Sequence, residues 1–135
     1  MPIRTPNQFG ESIEELHDRI AQTLHRIVTD LDTDPAQPKT LLICTHAAGM
    51  IAIGRVLTGR MPEDPDTPDF HCFTASFSRF NRRTFELSNR NVAAEHGTLD
   101  QHAKVNWRNY GIKGYWECKE NSNTDFLSKG PERGW

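Results

Sequence analysis

Between Ser12 and Asp34 the apolar residues Ile13, Leu16, Ile20, Leu24, Ile27, Val28 and Leu31 recur at three- and four-residue steps. That period lays one apolar stripe along a helix. Ser12 and Glu15 stand at capping-box spacing, where each side chain answers a free backbone N–H of the first turn. Asp32-Thr33-Asp34-Pro35 ends the helix. His17 falls inside the stripe and His25 on its border, so both read as packed or flanking residues rather than ligands. Arg19 lies on the polar side and reads as solvated. Residues 1–11 carry two prolines and a glycine and read as an extended lead-in.

The pattern changes at Thr40–Cys44, a continuous apolar run of the kind that forms a short strand buried on both faces. Thr45 and His46 follow, and Ala47-Ala48-Gly49 are small enough to let a helix start tight against that strand. Met50, Ile51, Ile53, Val56 and Leu57 make the helix apolar, and Gly59 is its stop. His46 is thereby placed at the carboxyl end of a buried strand, facing the amino end of a helix. Ligands of open α/β sheets bind in that crevice. The free N–H groups and positive dipole end of the helix favour an anion, phosphate above all. The candidate phosphate-binding group is therefore His46 with Ala47 and Ala48. The plainer reading is a histidine that only packs or caps.

Arg60–Asp69 holds three prolines and four acids in ten residues and reads as an exposed acidic loop. From Phe70 to Phe80, Phe73, Ala75 and Phe77 alternate with small polar residues, the period of a half-buried strand. Thr84–Ser88 reads as a second strand, with Asn81-Arg82-Arg83 a turn or bulge between them. From residue 89 the chain is polar and the period fades, leaving 12–88 as the α/β core of a single domain and 89–135 as an irregular tail. Tyr115, Trp116, Phe126 and Trp135 are large enough that they should dock on the body. Leu16, Ile20, Leu24, Leu41, Ile43, Ile53 and Phe73 are the expected core.

Length, charge and cysteines narrow the class. At 135 residues the chain is one domain at most, and its net charge of −2 gives no general reason to bind nucleic acid or a membrane surface directly. No apolar stretch approaches the roughly 18 residues that cross a bilayer, and the first residues lack a signal peptide's apolar stretch. Three widely spaced cysteines are no disulfide framework, which points to cytoplasm or nucleus. His71-Cys72 lacks the paired spacing of a zinc site, and no metal or cofactor is expected.

The segment T-H-A-A-G at residues 45–49, between strand and helix, resembles the second histidine motif of the histidine phosphatase (phosphoglycerate mutase-like) superfamily. Gly10-Glu11-Ser12, with Glu15, Leu16 and Arg19, looks like the G-E-S segment that opens that family's preceding helix. The phrases ICTHAA and G-R-x-L-T-G resemble one fungal branch, which includes the phosphatase-like tau subunit of transcription factor IIIC. So does the tail, with Gly114, Trp116, Cys118, then D-F-L-S, Gly130, Glu132-Arg133 and Trp135. The resemblance implies an open three-layer α/β/α fold lacking its N-terminal half, with His46 as the second histidine of the catalytic pocket. It implies phosphomonoester hydrolysis or phosphoryl transfer through a phosphohistidine, on a phosphorylated small molecule or phosphoprotein.

The family's nucleophile lies in R-H-G at the end of an apolar strand. The one H-G pair here, His96-Gly97, follows Glu95 rather than an arginine, and does not match. The expectation is thus a truncated phosphatase domain without activity of its own. The alternative is a non-catalytic interaction subunit with protein partners in a transcription complex. In either case, loss of sheet neighbours should leave an exposed edge or apolar patch around Thr40–Cys44.

Overall fold

The computed structural model describes residues 7–36, 40–83 and 104–134. The capping box forms: Glu15 N–H donates to Ser12 Oγ at 3.1 Å, and Ser12 N–H donates to Glu15 Oε2 at 2.8 Å. It opens helix α1, Ile13–Thr33, which ends where Asp34 turns extended. The stripe buries Ala21, Leu24 and Val28, while Leu16 and Ile20 are half-buried. His17 is buried within it and His25 is intermediate, as their positions on the stripe predict. Arg19 departs from its expected solvation: its guanidinium makes a two-point bond to Glu11, Nε to Oε1 at 2.6 Å and Nη2 to Oε2 at 2.8 Å. This pair ties the lead-in to the second turn of α1.

Helix α2, Ala47–Thr58, packs on α1 through Val56 and Leu57. Gly59 ends it in the left-handed conformation (φ 70°), which glycine adopts without a Cβ clash. Arg60 N–H then returns to the Arg55 carbonyl at 2.9 Å. Trp107 and Ile112 are fully buried and complete the core against Ala21, Leu24 and Val28 of α1 and Val56 and Leu57 of α2.

Strands β1, Phe77–Arg83, and β2, Tyr115–Asn123, pair antiparallel in a two-stranded sheet. Asn81, Arg82 and Arg83, expected in a turn or bulge, lie within β1 opposite Glu117, Trp116 and Tyr115. The irregularities sit earlier, around Arg79, where Ser122 bends out with φ 58°. Its buried hydroxyl bridges to Ser76 Oγ at 2.8 Å and accepts from Phe73 N–H at 2.8 Å. β2 falls inside the stretch that reads as an irregular tail. Its residues do not alternate, and its pairing is supported by cross-strand ion pairs: Arg83–Glu117 at 2.7 Å and Arg79–Glu120 at 2.8 Å. Strand structure also starts later than the phenylalanine pattern suggests. Thr74 makes only an isolated bridge to Glu132, and Phe73 is half-buried.

The largest departure concerns Thr40–Cys44. It joins no helix or strand among the described residues, and every residue in it is exposed. Leu41 and Ile43, expected in the core, are 45% and 40% exposed, and Leu42 is 76% exposed. A strand covered on both faces needs neighbours for its backbone and a layer on each side. The sheet formed by β1 and β2 supplies neither, so the run lies open as an apolar patch. Tyr115 and Trp116 dock as expected, but Phe126 stays 62% exposed. Among the described residues the architecture is therefore a small α/β arrangement of two helices and an antiparallel strand pair. Thr84–Ser88, His96-Gly97, His102 and Trp135 lie outside the described residues.

Candidate functional site

Two local features shape the chain around His46. Gly49 leaves room for the Thr45 hydroxyl, which a Cβ at that position would strike. The backbone at His46 is extended (φ −97°, ψ 170°), which makes it the N-cap of α2, and its carbonyl accepts from Met50 N–H at 2.9 Å. The imidazole caps nothing and is exposed, with no hydrogen bond or ion pair among the described residues. The amides of Ala47, Ala48 and Gly49 likewise have no partner among them. The structure thus places His46, Ala47 and Ala48 together at one helix start, as the spacing predicts. The walls of a crevice are missing, because the segment before His46 is itself exposed.

An exposed imidazole beside three amides can attract an anion. Hydrolysis asks for more: a nucleophile in line with phosphorus, cations facing the developing charge and an acid for the leaving group. The arginine on the same helix is committed elsewhere. Arg55 is buried, with Nε 3.1 Å from both Asp69 carboxylate oxygens and Nη2 2.9 Å from Oδ1. Nη2 also donates to the carbonyls of Pro65 at 2.9 Å and Thr67 at 3.1 Å. The acidic loop is therefore wrapped around a buried cation rather than merely solvated. Sequence reading missed this pair. The available signal was an arginine on the buried face of an apolar helix, followed by acids.

A second missed cluster lies on the first turns of α1. Trp107 Nε1–H donates to Asp18 Oδ1 at 2.9 Å, and the same carboxylate holds Arg108 at 2.8 Å and Lys104 at 3.2 Å. Burial works to raise the Asp18 pKa, but the hydrogen bonds from Trp107, Arg108 and Lys104 outweigh it and hold the carboxyl below its ordinary value. Trp107 also stacks on His17, ring centroids 5.9 Å apart and planes within 13°. Two shallow hollows of about 280 and 380 Å³ open around Thr58, Gly59 and Arg60. They lie at the far end of α2, roughly 18 Å along its axis from His46 at 1.5 Å per residue.

Among the described residues no group of three His, Cys, Asp or Glu side chains is arranged to hold a metal ion. Cys44, Cys72 and Cys118 are free thiols. No helix among the described residues is long and apolar enough to cross a membrane.

No protein-family model matches the chain. One curated relative is similar along nearly all of it. The transcription factor tau 55 kDa subunit of Saccharomyces cerevisiae is 25% identical over 97% of this chain. The matched part makes up 29% of that subunit, so the chain spans less than a third of the length of the relative it matches.

Proposed function

We propose that this chain is a non-catalytic interaction subunit of a multi-protein transcription factor, working in the nucleus. The observation that carries this reading is the similarity to a transcription factor tau subunit, sustained along nearly the whole chain rather than confined to one motif. Two features of the molecule support it. His46 has no cation or acid bonded to it among the described residues, so the imidazole stands without a partner there for phosphoryl chemistry. Leu41, Leu42 and Ile43 lie exposed in a segment outside any helix or strand, an apolar surface of the kind that another polypeptide covers. On this reading the fold is phosphatase-like in origin, and its three-layer order would be completed by polypeptide beyond the elements described above. His46, Ala47 and Ala48 would then be the remnant of a phosphate pocket.

Affinity purification of the tagged chain from its own cells, at native expression level, tests the proposal. Subunits of a transcription factor should co-purify in constant ratio, and the chain should not hydrolyse p-nitrophenyl phosphate above background. Turnover that disappears in His46→Ala, with no such subunits recovered, would overturn the reading in favour of an enzyme.

A further inference from the structure

The seam between α1 and the 104–112 segment is built around one histidine with no room for a second proton. His17 is 2% exposed. Its Nδ1 lies 2.6 Å from the Ile13 carbonyl, an acceptor only, so that nitrogen carries the proton and donates it. Nε2 is buried and has no hydrogen-bond partner among the described residues. The ring lies flat against Trp107, whose indole N–H is anchored to Asp18 on the next residue of the helix. Trp107 in turn is fully buried and holds the segment by which Gly111 and Asn109 reach α2: Gly111 N–H bonds the Trp107 carbonyl at 2.8 Å and Asn109 N–H the Gly59 carbonyl at 2.7 Å.

We infer that this seam is a proton-operated joint, docked while His17 is neutral and loosened when Nε2 takes a proton. The charges around His17 favour that direction. The positive charges of Arg55 on α2 and Arg108 on the docked segment both oppose a new cation on His17. The anion that acts on His17, Asp18 on α1, is already shared by Trp107, Arg108 and Lys104. A protonated Nε2 would be a buried donor with no acceptor among the described residues, and the seam must open to hydrate it. Consistent with this geometry, burial first, then Arg55 and Arg108, lower the His17 pKa against the opposing pull of the Ile13 carbonyl and Asp18. A group bound more weakly to its proton in the folded state loses stability as pH falls below its unfolded value. The joint is therefore fully closed above about pH 6.5 and weakens below it. Asp18 stays ionised through that window because its own pKa is lowered. His25, whose pKa is also lowered by burial and then by Lys113, serves as the control.

The test is hydrogen exchange at the Trp107 indole N–H, followed by NMR from pH 7.5 to 5 and corrected for the intrinsic exchange rate. Protection in the parent chain should fall as pH drops below about 6.5, by at most about tenfold per pH unit, the limiting slope of one linked proton. The slope should vanish in His17→Phe and persist in His25→Gln. His17→Gln, which can keep a donor for the Ile13 carbonyl, gives the same reading should the phenylalanine variant not fold. Protection that stays level between pH 7 and 5 in the parent chain would overturn the inference without any variant. So would an unchanged slope in His17→Phe or His17→Gln.

Discussion

Truncating Asp69 should cost more stability than any ordinary loop substitution, because it strands a charge rather than removing a contact. The Arg55 side chain is 4% exposed and that of Asp69 16%. In Asp69→Ala the guanidinium keeps only the Pro65 and Thr67 carbonyls, two dipoles facing a full buried charge. Breaking a buried ion pair from one side costs about 3–5 kcal/mol. Asp69 Oδ1 also accepts Phe70 N–H at 2.9 Å, and losing that bond adds about 1 kcal/mol. A loss of about 4–6 kcal/mol is a large share of the roughly 5–15 kcal/mol that holds a small domain together. Urea unfolding followed by circular dichroism measures it. Arg55→Met should cost less, since the carboxylate it leaves is nearer solvent. The double variant Arg55→Met/Asp69→Ala should be more stable than Asp69→Ala alone, because no charge is left buried. A loss below about 1 kcal/mol in Asp69→Ala, or strict additivity in the double variant, would refute the reasoning, since a stranded charge predicts neither.

Gly54→Ala should destabilise the chain despite the gain of roughly 1 kcal/mol in helix propensity. The new Cβ would lie 2.7–3.0 Å from the Phe70 ring, an overpacking worth about 1–3 kcal/mol, and Phe70→Leu should relieve it in a thermal-unfolding comparison. Inorganic phosphate should bind weakly at the start of α2, with a dissociation constant on the order of millimolar, near −4 kcal/mol. Amide shifts at Ala47, Ala48 and Gly49 at pH 6 report it, and shifts equal in His46→Gln would leave His46 without a part in the binding.

What was legible in the sequence was whatever depends on residues close together along the chain. The Ser12–Glu15 box, the stripe of α1 and the Gly59 stop are written within one or two turns, and each forms where its spacing puts it. The elements that were misread are those decided by distant partners. β2 has no period of its own, and it becomes a strand because Glu117 and Glu120 meet arginines from β1. Arg19 looked solvated because its partner, Glu11, lies before the helix begins. Trp107 sat in a polar stretch, yet it reaches Asp18 and His17 on the first turns of the chain's first helix. His46 was legible as a helix cap from its small neighbours, and no spacing along the chain could show whether cations face it.

Thr40–Cys44 has the reverse character: a local pattern strong enough to predict a buried strand, with nothing in the described fold to bury it. The pattern is a physical demand that the described fold leaves unmet. Full burial of a leucine or isoleucine is worth about 1.5–3 kcal/mol. With Leu41, Leu42 and Ile43 45%, 76% and 40% exposed, covering what remains would contribute roughly 3–5 kcal/mol in all. Backbone pairing along the same segment would satisfy donors and acceptors now facing water, at a net gain of about 1 kcal/mol per bond. Micromolar association needs roughly −8 kcal/mol after the cost of ordering both partners. The patch is therefore large enough to orient a partner and too small to hold one alone. A chain built this way must draw on further surface, and among the described residues Phe9, Tyr110 and Phe126 (89%, 66% and 62% exposed) are the next largest apolar groups it has to offer.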